Sequence, residues 1–355
     1  MTKVSDKVYK SAIVGVGAAG GKPGSPTGGG FGIGHVHGKV YGRSENFELV
    51  AAADVNAENL AYFRSHFGGV AGYPSLESML AEVKPDVVSL CTYVGFHLSM
   101  IETCVNAGVR AILCEKPFVK SPQELATLRE LVARTDVEIM VPHFRRYLPA
   151  FQKAREVYAS GRIGERLMVT AAIGDQWDLS EWGSHWLDMF RFFHDDAMPE
   201  SVLGQARVRD RRGFGHAMED HALAYFNFSG GGRASLETGP SWLQGGANMV
   251  LTGTEGAIHI SKEADIRIYS KDGLEEERHS DNHDWIGAWV FMADTLAKWL
   301  ADGTKPDLGF DHVSGTAEVN LGSYMSMVKG DRIDFPMPLD WSEWPVEELA
   351  RRMLR

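Results

Sequence analysis

The chain has 355 residues, of which 44% are hydrophobic and 23% charged, an ordinary composition for a soluble globular protein. This length favours two domains over a single core. The formal net charge of −11 argues against nucleic acid as a partner. No apolar stretch approaches the roughly 18 residues that a membrane helix needs, and Met1 to Lys10 is polar. We therefore expect a cytoplasmic protein without a membrane partner.

The cysteines are Cys91, Cys104 and Cys114, which all fall in one predicted strand–helix–strand stretch. Their odd number and their clustering predict buried thiols in a reducing compartment, and argue against a disulfide framework or a zinc site.

Apolar strand-like runs alternate with helical patterns from residue 11 to residue 143. The predicted strands are Ser11 to Val16, Phe47 to Asp54, Val87 to Thr92, Val109 to Cys114 and Val137 to Val141. Helices such as Ala57 to His66 and His97 to Ala107 lie between them, and Ser121 to Glu124 reads as a capping box that opens another helix. Near-continuous apolar strands that alternate with helices predict an α/β domain with a parallel, doubly wound sheet over residues 1–143.

The pattern changes after Tyr147, where one amphipathic helix precedes runs of alternating residues. The predicted strands are Arg166 to Ile173, Ser201 to Arg209, His221 to Phe228, Arg233 to Glu237, Met249 to Leu251, Ala257 to Ile260 and Ile266 to Tyr269, and two helices near Trp285 to Ala301 and Val313 to Val328 follow. Residues 144–355 are thus predicted to form an α+β domain with a mostly antiparallel open sheet. Because an exposed sheet face is costly for a monomer, we expect a homodimer or a homotetramer.

A glycine motif follows the first predicted strand, in the order Gly15-x-Gly17-x-x-Gly20. Glycines in this position let the backbone approach a pyrophosphate at the N-terminus of a helix. Gly20 is followed by glycine and proline residues that cannot begin a regular helix. We therefore predict that Gly34 stands at the start of the helix, and that Gly20 to Ile33 is an insertion. Its role is open between a lid over the cofactor, an inter-subunit loop and a disordered excursion.

Asp54 ends the second predicted strand, 20 residues after Gly34. This spacing matches that of the acidic residue that binds an adenosine ribose 2′-OH in dinucleotide-binding domains. Because an aspartate repels a 2′-phosphate, the residue favours NAD over NADP. The alternative is that Asp54 caps the next helix.

Lys116 lies in Cys114-Glu115-Lys116-Pro117-Phe118, directly after an apolar run. The lysine is thus predicted at the carboxyl end of a buried parallel strand, where open α/β sheets bind ligands. The alternative is a surface lysine after a strand.

Several motifs in this order resemble the Gfo/Idh/MocA oxidoreductases, the group of glucose-fructose oxidoreductase and inositol dehydrogenase. They are Gly15-x-Gly17, His37, Asp54, Thr92 with His97, Glu115-Lys116-Pro117, His143 to Tyr147, Gly161 to Glu165, and Gly183-Ser184-His185-Trp186-Leu187-Asp188. The resemblance spans nearly the whole chain. It implies an N-terminal Rossmann domain and an NAD(P)-dependent dehydrogenase that acts on a secondary hydroxyl of a sugar, glycoside or cyclitol.

The resemblance also implies roles for single residues. The cofactor-binding candidates are Gly15, Gly17, Gly34, His37, Asp54, Thr92, His97, Glu115, Lys116 and Arg146. Lys116 matches the lysine beside the nicotinamide and the reacting oxygen, and His185 matches the catalytic histidine. Glu181 stands where the family usually has an aspartate, four residues before that histidine. The family's usual proline after Thr92 is replaced by Tyr93, which leaves the substrate's identity open.

Oxidation of an alcohol requires a base within hydrogen-bond reach of the hydroxyl. His185 is predicted to be this acid/base, because an imidazole titrates near neutral pH. Lys116, as a cation or as a neutral amine tuned by burial, is predicted to hold the reacting oxygen and to stabilise alkoxide charge. On a predicted helix from Trp182 to Phe193, Glu181, His185 and Asp188 can share one face.

Glu181 is then a candidate to bind a neighbouring hydroxyl or to relay the proton, and Asp188 to orient the imidazole. Asp175 and Gln176, just before this helix, join Lys116, Glu181 and His185 as substrate-binding candidates. The alternative for His185 is a partly buried histidine in an aromatic helix.

Metal binding is not predicted. His35-x-His37, and His216 with Asp220 and His221, lack a third ligand at zinc spacing.

An alternative function is a lyase, epimerase or glycosidase that oxidises its substrate transiently with tightly bound NAD. A non-catalytic sensor is disfavoured because both Lys116 and His185 are present.

Overall fold

The computed structural model describes residues 3–17, 32–174, 177–239, 248–279 and 284–353. Its contacts divide the chain into two compact units. The first unit lies within Met1–Val119, Ala126–Pro142 and Trp285–Val313, and the second within Lys120–Leu125, His143–Asp284 and Ser314–Arg355.

The strands and helices are numbered in chain order. The strands are β1 (Tyr9–Val14), β2 (Phe47–Ala53), β3 (Ala71–Tyr73), β4 (Val87–Leu90), β5 (Ala111–Cys114), β6 (Glu138–Met140), β7 (Arg166–Ile173), β8 (Ser201–Arg207), β9 (Arg212–Gly213), β10 (His216–Ala217), β11 (His221–Asn227), β12 (Arg233–Thr238), β13 (Asn248–Gly253), β14 (Gly256–Ser261), β15 (Asp265–Ser270), β16 (Gly273–Arg278) and β17 (Ile333–Asp334). The helices are α1 (Ile33–Arg43), α2 (Ala57–His66), α3 (Leu76–Val83), α4 (His97–Asn106), α5 (Pro122–Ala133), α6 (Pro149–Ala159), α7 (Ser184–Phe193), α8 (Trp285–Asp302), α9 (Phe310–Lys329) and α10 (Pro345–Met353).

The first unit is built on a six-stranded parallel sheet in the order β3-β2-β1-β4-β5-β6. Every residue of β4 and β5 is buried, because helices cover both faces of such a sheet. The prediction of a doubly wound Rossmann sheet is confirmed. In this topology ligands bind at the carboxyl ends of the strands, where the strand order reverses between β1 and β4.

Helix α8 has its contacts in the first unit, although it follows the domain boundary that the sequence suggests at residue 144. The Trp289 ring lies edge-on to the His37 ring of α1, with the centroids 5.1 Å apart. Just after α1, the Ser44 hydroxyl donates to the Asp294 carboxylate of α8. The indole and this hydrogen bond fix α8 against α1.

The second unit is built on a nine-stranded sheet in the order β16-β15-β14-β13-β7-β12-β11-β8-β17. Among the strand pairs that the described residues form in this sheet, only β7–β12 is parallel, so the predicted mostly antiparallel sheet is confirmed. All ten residues of α7 are buried, and its Phe190 ring packs on Phe226 of β11 at 5.8 Å. Helix α7 is therefore held in the core on one face of this sheet.

Within the described ranges, none of the helices combines the length and the apolar character that crossing a membrane requires.

Candidate active site

Three described positions between β1 and the first turn of α1, Gly15, Gly17 and Gly34, have room for glycine only. Gly15 and Gly17 have φ angles of 82° and 79°, in the left-handed region that other residues rarely adopt. A Cβ on Gly15 would lie 2.7 Å from the Cys91 carbonyl oxygen, and one on Gly34 would lie 2.7 Å from the Gly15 carbonyl oxygen. Gly34 is the second residue of α1, so the predicted helix start is correct. Most of the predicted insertion, namely residues 20–31 of Gly20 to Ile33, lies outside the described residues.

Asp54 follows β2 and ties that strand to the glycine turn. Its Oδ2 accepts a hydrogen bond from the Val16 N–H at 2.9 Å, and its Oδ1 accepts one from the Asn56 N–H at 2.8 Å. Helix α2 is capped by Asn56, whose Oδ1 accepts from the Glu58 and Asn59 N–H groups. The alternative of Asp54 as the helix cap is therefore wrong. A carboxylate offers about four acceptor sites, so two backbone donors leave capacity for ribose hydroxyls.

A cleft of about 480 Å³ lies at this edge of the sheet. Its lining includes the two turn glycines and Asp54, together with Thr92 and apolar walls from Val55 and Phe96. Val55 is 93% exposed, so its apolar surface is open to solvent. A dinucleotide requires a turn whose backbone can approach its pyrophosphate, an acceptor for its ribose hydroxyls and apolar walls for its base. The glycine turn, Asp54 and the apolar side chains of the cleft offer these three features. The residues of the cleft fit NAD.

Lys116 stands two residues after the fully buried strand β5, where the sequence predicts it. The carboxylate of Glu115 accepts the Lys116 N–H at 3.1 Å through Oε2 and faces Nε2 of His37 at 3.0 Å through Oε1. Nδ1 of His37 lies 2.9 Å from the Ser89 hydroxyl, which contacts the Tyr41 hydroxyl at 2.6 Å. His37 and Glu115 thus form a buried hydrogen-bonded support for the Lys116 backbone.

The charge of this support follows from opposing effects on Glu115. Burial alone would raise the pKa of its carboxyl, but the hydrogen bond and charge of His37, and then the charge of Lys116, hold that pKa below its ordinary value. The carboxylate is therefore ionised.

His97 joins the loops that follow β4 and β5. Its Nε2 lies 3.0 Å from the Thr92 carbonyl oxygen, and its Nδ1 lies 3.2 Å from the Phe118 carbonyl oxygen. The ring is fully buried. The two predicted cofactor residues therefore differ in position. Thr92 lines the cleft, whereas His97 is buried and contacts the loop that carries Lys116.

In the second unit His185 pairs with His143. Their Nδ1 atoms lie 3.2 Å apart, the two rings are nearly perpendicular, and both side chains are buried. One Nδ1–H must donate to the other Nδ1, because two lone pairs cannot share this distance. The sequence places His143 in a family motif without a role, and the pair itself was not predicted.

Asp188 is held by Arg146. The guanidinium donates to the Asp188 carboxylate from Nη2 at 2.8 Å and from Nε at 3.3 Å, and Asp188 is fully buried. Burial alone would lower the pKa of Arg146, but Asp188 and then Asp196 raise it above its ordinary value. Arg146 and Asp188 thus form a buried ion pair. The sequence predicts other contacts for both, since Arg146 is a cofactor-binding candidate and Asp188 is a candidate to orient the imidazole of His185.

Glu181 lies in a π-helical turn, Leu179–Gly183, that runs into α7. The Gly183 N–H donates to the Asp178 carbonyl oxygen, five residues back. The regular helix predicted from Trp182 therefore begins only at Ser184, and simple α-helical spacing does not relate Glu181 to His185. Oε1 of Glu181 lies 3.1 Å from Nε2 of His216, a partner that the sequence did not predict.

Two further predictions concern substrate and metal. Asp175 and Gln176 lie outside the described residues. Among the residues that are described, no three His, Cys, Asp or Glu side chains are grouped so as to hold a metal ion. His221, once a metal candidate, faces Glu237 at 3.0 Å.

Comparison with known proteins identifies both halves of the chain. A family model described as "Oxidoreductase family, NAD-binding Rossmann fold" matches residues 27–143, and one described as "GFO/IDH/MocA C-terminal domain" matches residues 151–259. D-apiose dehydrogenase of Paraburkholderia graminis is 26% identical, over 94% of this chain and 91% of that protein. Trans-1,2-dihydrobenzene-1,2-diol dehydrogenase of Mus musculus is 30% identical, over 62% of this chain and 68% of that protein.

Solved structures share the fold. Levoglucosan dehydrogenase in complex with NADH and levoglucosan superimposes with a TM-score of 0.78 at 17% identity, over 93% of this chain and all of that one. An oxidoreductase of Agrobacterium radiobacter in complex with NAD⁺, L-tartaric acid and magnesium gives 0.76 at 18% identity, over 92% and 98%. With an NAD(P)-binding Rossmann domain and the matching C-terminal domain, the chain belongs to the Gfo/Idh/MocA family of oxidoreductases.

Proposed function

We propose that the protein is an NAD-dependent dehydrogenase that reversibly oxidises a secondary hydroxyl of a sugar, glycoside or cyclitol. The observation that carries this proposal is the placement of Lys116 on the sheet edge that bears the nucleotide cleft. Strands β1, β2, β4 and β5 are parallel, so the glycine turn, Asp54, Thr92 and Lys116 all follow carboxyl ends at one edge. A lysine so placed is suited to an oxygen that reacts beside a bound nucleotide.

The cofactor preference follows from Asp54. NAD, when bound, supplies the hydride acceptor of the reaction. The backbone of Gly15 and Gly17 gives access to its pyrophosphate, and the Asp54 carboxylate accepts hydrogen bonds from ribose hydroxyls. A 2′-phosphate would place negative charge against this carboxylate, so NADP is the weaker cofactor.

The proton of the substrate hydroxyl is assigned to His185. When His185 donates from Nδ1 to His143, its basic lone pair is on Nε2, which is the form that a general base needs. Lys116 stabilises the negative charge that grows on the substrate oxygen as its proton leaves. His143 is thus proposed to fix the tautomer of the base.

The substrate class rests on the relatives. D-apiose dehydrogenase, inositol 2-dehydrogenase of Rhizobium meliloti (30% identical, over 50% of this chain and 53% of that protein) and D-glucoside 3-dehydrogenase of Escherichia coli (26% identical, over 42% of each) are similar to this chain, and their names point to sugars and a cyclitol. A neutral polyhydroxylated substrate is also what Glu181 suits, because a carboxylate accepts hydrogen bonds from hydroxyls.

The function is tested with a panel of aldoses, glycosides and inositols, each offered with NAD and with NADP, while the absorbance of NADH or NADPH is followed. We expect NADH to form with at least one member of the panel, and more slowly with NADP. Conversion of a sugar without net NADH would instead support transient oxidation by a lyase, epimerase or glycosidase. Neither product from any member of the panel would contradict the proposal.

A homodimer or homotetramer is proposed from the open face of the second unit's sheet. Leu203 of β8 and Leu223 of the neighbouring strand β11 are about half exposed, at 50% and 48%. Leu203 pairs with Tyr225 and Leu223 with Gln205, so the two leucines lie on the same face of the sheet, and exposed apolar side chains on one sheet face favour an interface. Light scattering at micromolar concentration is expected to give two or four times the chain mass, and a monomer mass would contradict this proposal.

A further inference from the structure

A buried cluster of ionisable side chains surrounds Glu181 in the second unit. Its members come from the π-helical turn and the residue that caps it, from β10 and the residues after it, and from α9. They are Asp178, Glu181, His216, Glu219 and Tyr324, none more than 4% exposed. A group of charges buried this deeply is costly unless each charge is compensated.

The tautomer of His216 follows from its two contacts. Nδ1 lies 2.7 Å from the Ala217 carbonyl oxygen, which can only accept, so Nδ1 carries a hydrogen. Nε2 is therefore the atom whose protonation decides the charge of the ring, and it faces Glu181 at 3.1 Å. Burial alone would lower the pKa of His216, but the hydrogen bond and charge of Glu181, and then the charge of Asp178, raise it to about 9. At neutral pH the contact is an imidazolium–carboxylate pair.

The remaining carboxylates of the cluster are held by other donors. Glu219 accepts hydrogen bonds from the Leu179 N–H and from the hydroxyls of Thr238 and Tyr324. Oδ1 of Asp178 accepts from the Glu181 N–H, while its Oδ2 has no hydrogen-bond partner among the residues described. Burial, then the charges of Glu219 and Glu181, raise the pKa of Asp178 to about 7. Within this cluster, His216 is thus the positively charged side chain that contacts Glu181.

The other elements around His216 add an ion pair and an aromatic ring. From α10, Glu347 accepts the Ala217 N–H at 2.8 Å and is paired with Arg212 of β9. The Trp344 ring lies 5.0 Å from the His216 ring. Because Arg212 neutralises Glu347, the local field on His216 is set mainly by Glu181 and Asp178.

We propose that His216 is a positioning residue for Glu181, holding its carboxylate ionised and in one orientation as the acceptor for a substrate hydroxyl. The inference rests on the proposed function, in which Glu181 meets the substrate. Glu181 has one more rotatable bond than the aspartate usual at this position, and ordering it costs more conformational entropy. A buried carboxyl without a cation also tends to bind a proton and to lose its acceptor role. His216 counters both effects through one contact.

The test compares His216→Gln with Glu181→Gln and with the double variant. Glutamine can still donate to Glu181 but carries no charge, so protonation of Glu181 should extend to higher pH. We expect the acid limb of the pH profile of kcat/KM to move upward in His216→Gln, with activity recovering at alkaline pH. Each unit of this shift lowers kcat/KM about tenfold on the limb. The double variant should be no worse than Glu181→Gln alone.

The matched control is His221→Gln, which changes a half-exposed histidine that also pairs with a glutamate, Glu237, in the same unit. Its profile should match the wild type. A loss in His216→Gln that is equal at every pH, or the wild-type profile, would overturn the inference while the proposed function stands.

A second measurement does not depend on turnover. In NMR spectra of histidine-labelled protein, His216 is expected to titrate with a pKa of about 9 in the wild type. Its pKa should be lower in Glu181→Gln, where the hydrogen bond and the charge of the carboxylate are removed. A wild-type His216 that titrates at or below 6.5 would overturn the pairing, whatever the activity. Wild-type protein that shows this titration but oxidises no member of the panel would overturn the proposed function alone.

Discussion

Lys116→Ala is expected to lower kcat by about a hundred- to a thousandfold, the usual effect of removing a group that stabilises charge on a reacting oxygen. The substitution removes the ammonium but keeps the backbone N–H that donates to Glu115. The glycine turn and Asp54 make their contacts without the lysine side chain. NAD should therefore bind to the variant as it does to the wild type, which calorimetry can measure beside steady-state kinetics.

Two further variants decide how the loss is interpreted. Lys116→Arg keeps a positive charge but replaces a compact ammonium by a planar fork, so it should recover little activity. Lys120→Ala changes another half-buried lysine, whose Nζ is paired with Glu124 at 2.9 Å, and should retain wild-type kinetics. Near wild-type turnover by Lys116→Ala would show that the lysine does not take part in the chemistry.

The sheet of the first unit could be predicted because its strands carry the signal within their own few residues. β5 is apolar throughout, and β4 is apolar except for Ser89, a pattern typical of strands that are covered on both faces. β3 was missed, since three half-buried residues around Gly72 show neither a continuous apolar run nor alternation.

The predicted capping box at the start of α5 is half present. The Glu124 N–H donates to the Ser121 hydroxyl, but the Glu124 carboxylate accepts from the Lys120 N–H, one residue before the usual position.

The residues of the candidate site were predicted one at a time, but their partners were not. His185 and His143 are 42 residues apart, and Glu181 and His216 are 35 apart. Periodicity and spacing report on neighbours along one element, whereas such pairs form only when separate elements pack. The π-helical turn was missed for a related reason. Its extra residue is stabilised by Asp178, whose side chain accepts the Glu181 N–H, and by the surrounding core.

Asp54→Asn is expected to lower kcat/KM with NAD by about 10- to 100-fold, because a hydrogen bond to a charged group contributes about 1.5–3 kcal/mol. The same change removes the charge that repels a 2′-phosphate, so kcat/KM with NADP should rise or stay constant. The ratio of the two values is the measurement, since a general loss of folding would lower both together.

A matched aspartate at the opposite edge of the same sheet tests whether this effect is specific. Asp86 precedes β4, accepts the Lys10 N–H at 2.9 Å and pairs with Lys7 at 2.7 Å, so it resembles Asp54 in bonding to backbone and differs in place. Asp86→Asn should leave the ratio of NAD to NADP unchanged. If wild-type protein instead prefers NADP, the Asp54 carboxylate does not select the cofactor, and its contacts with Val16 and Asn56 are its whole role.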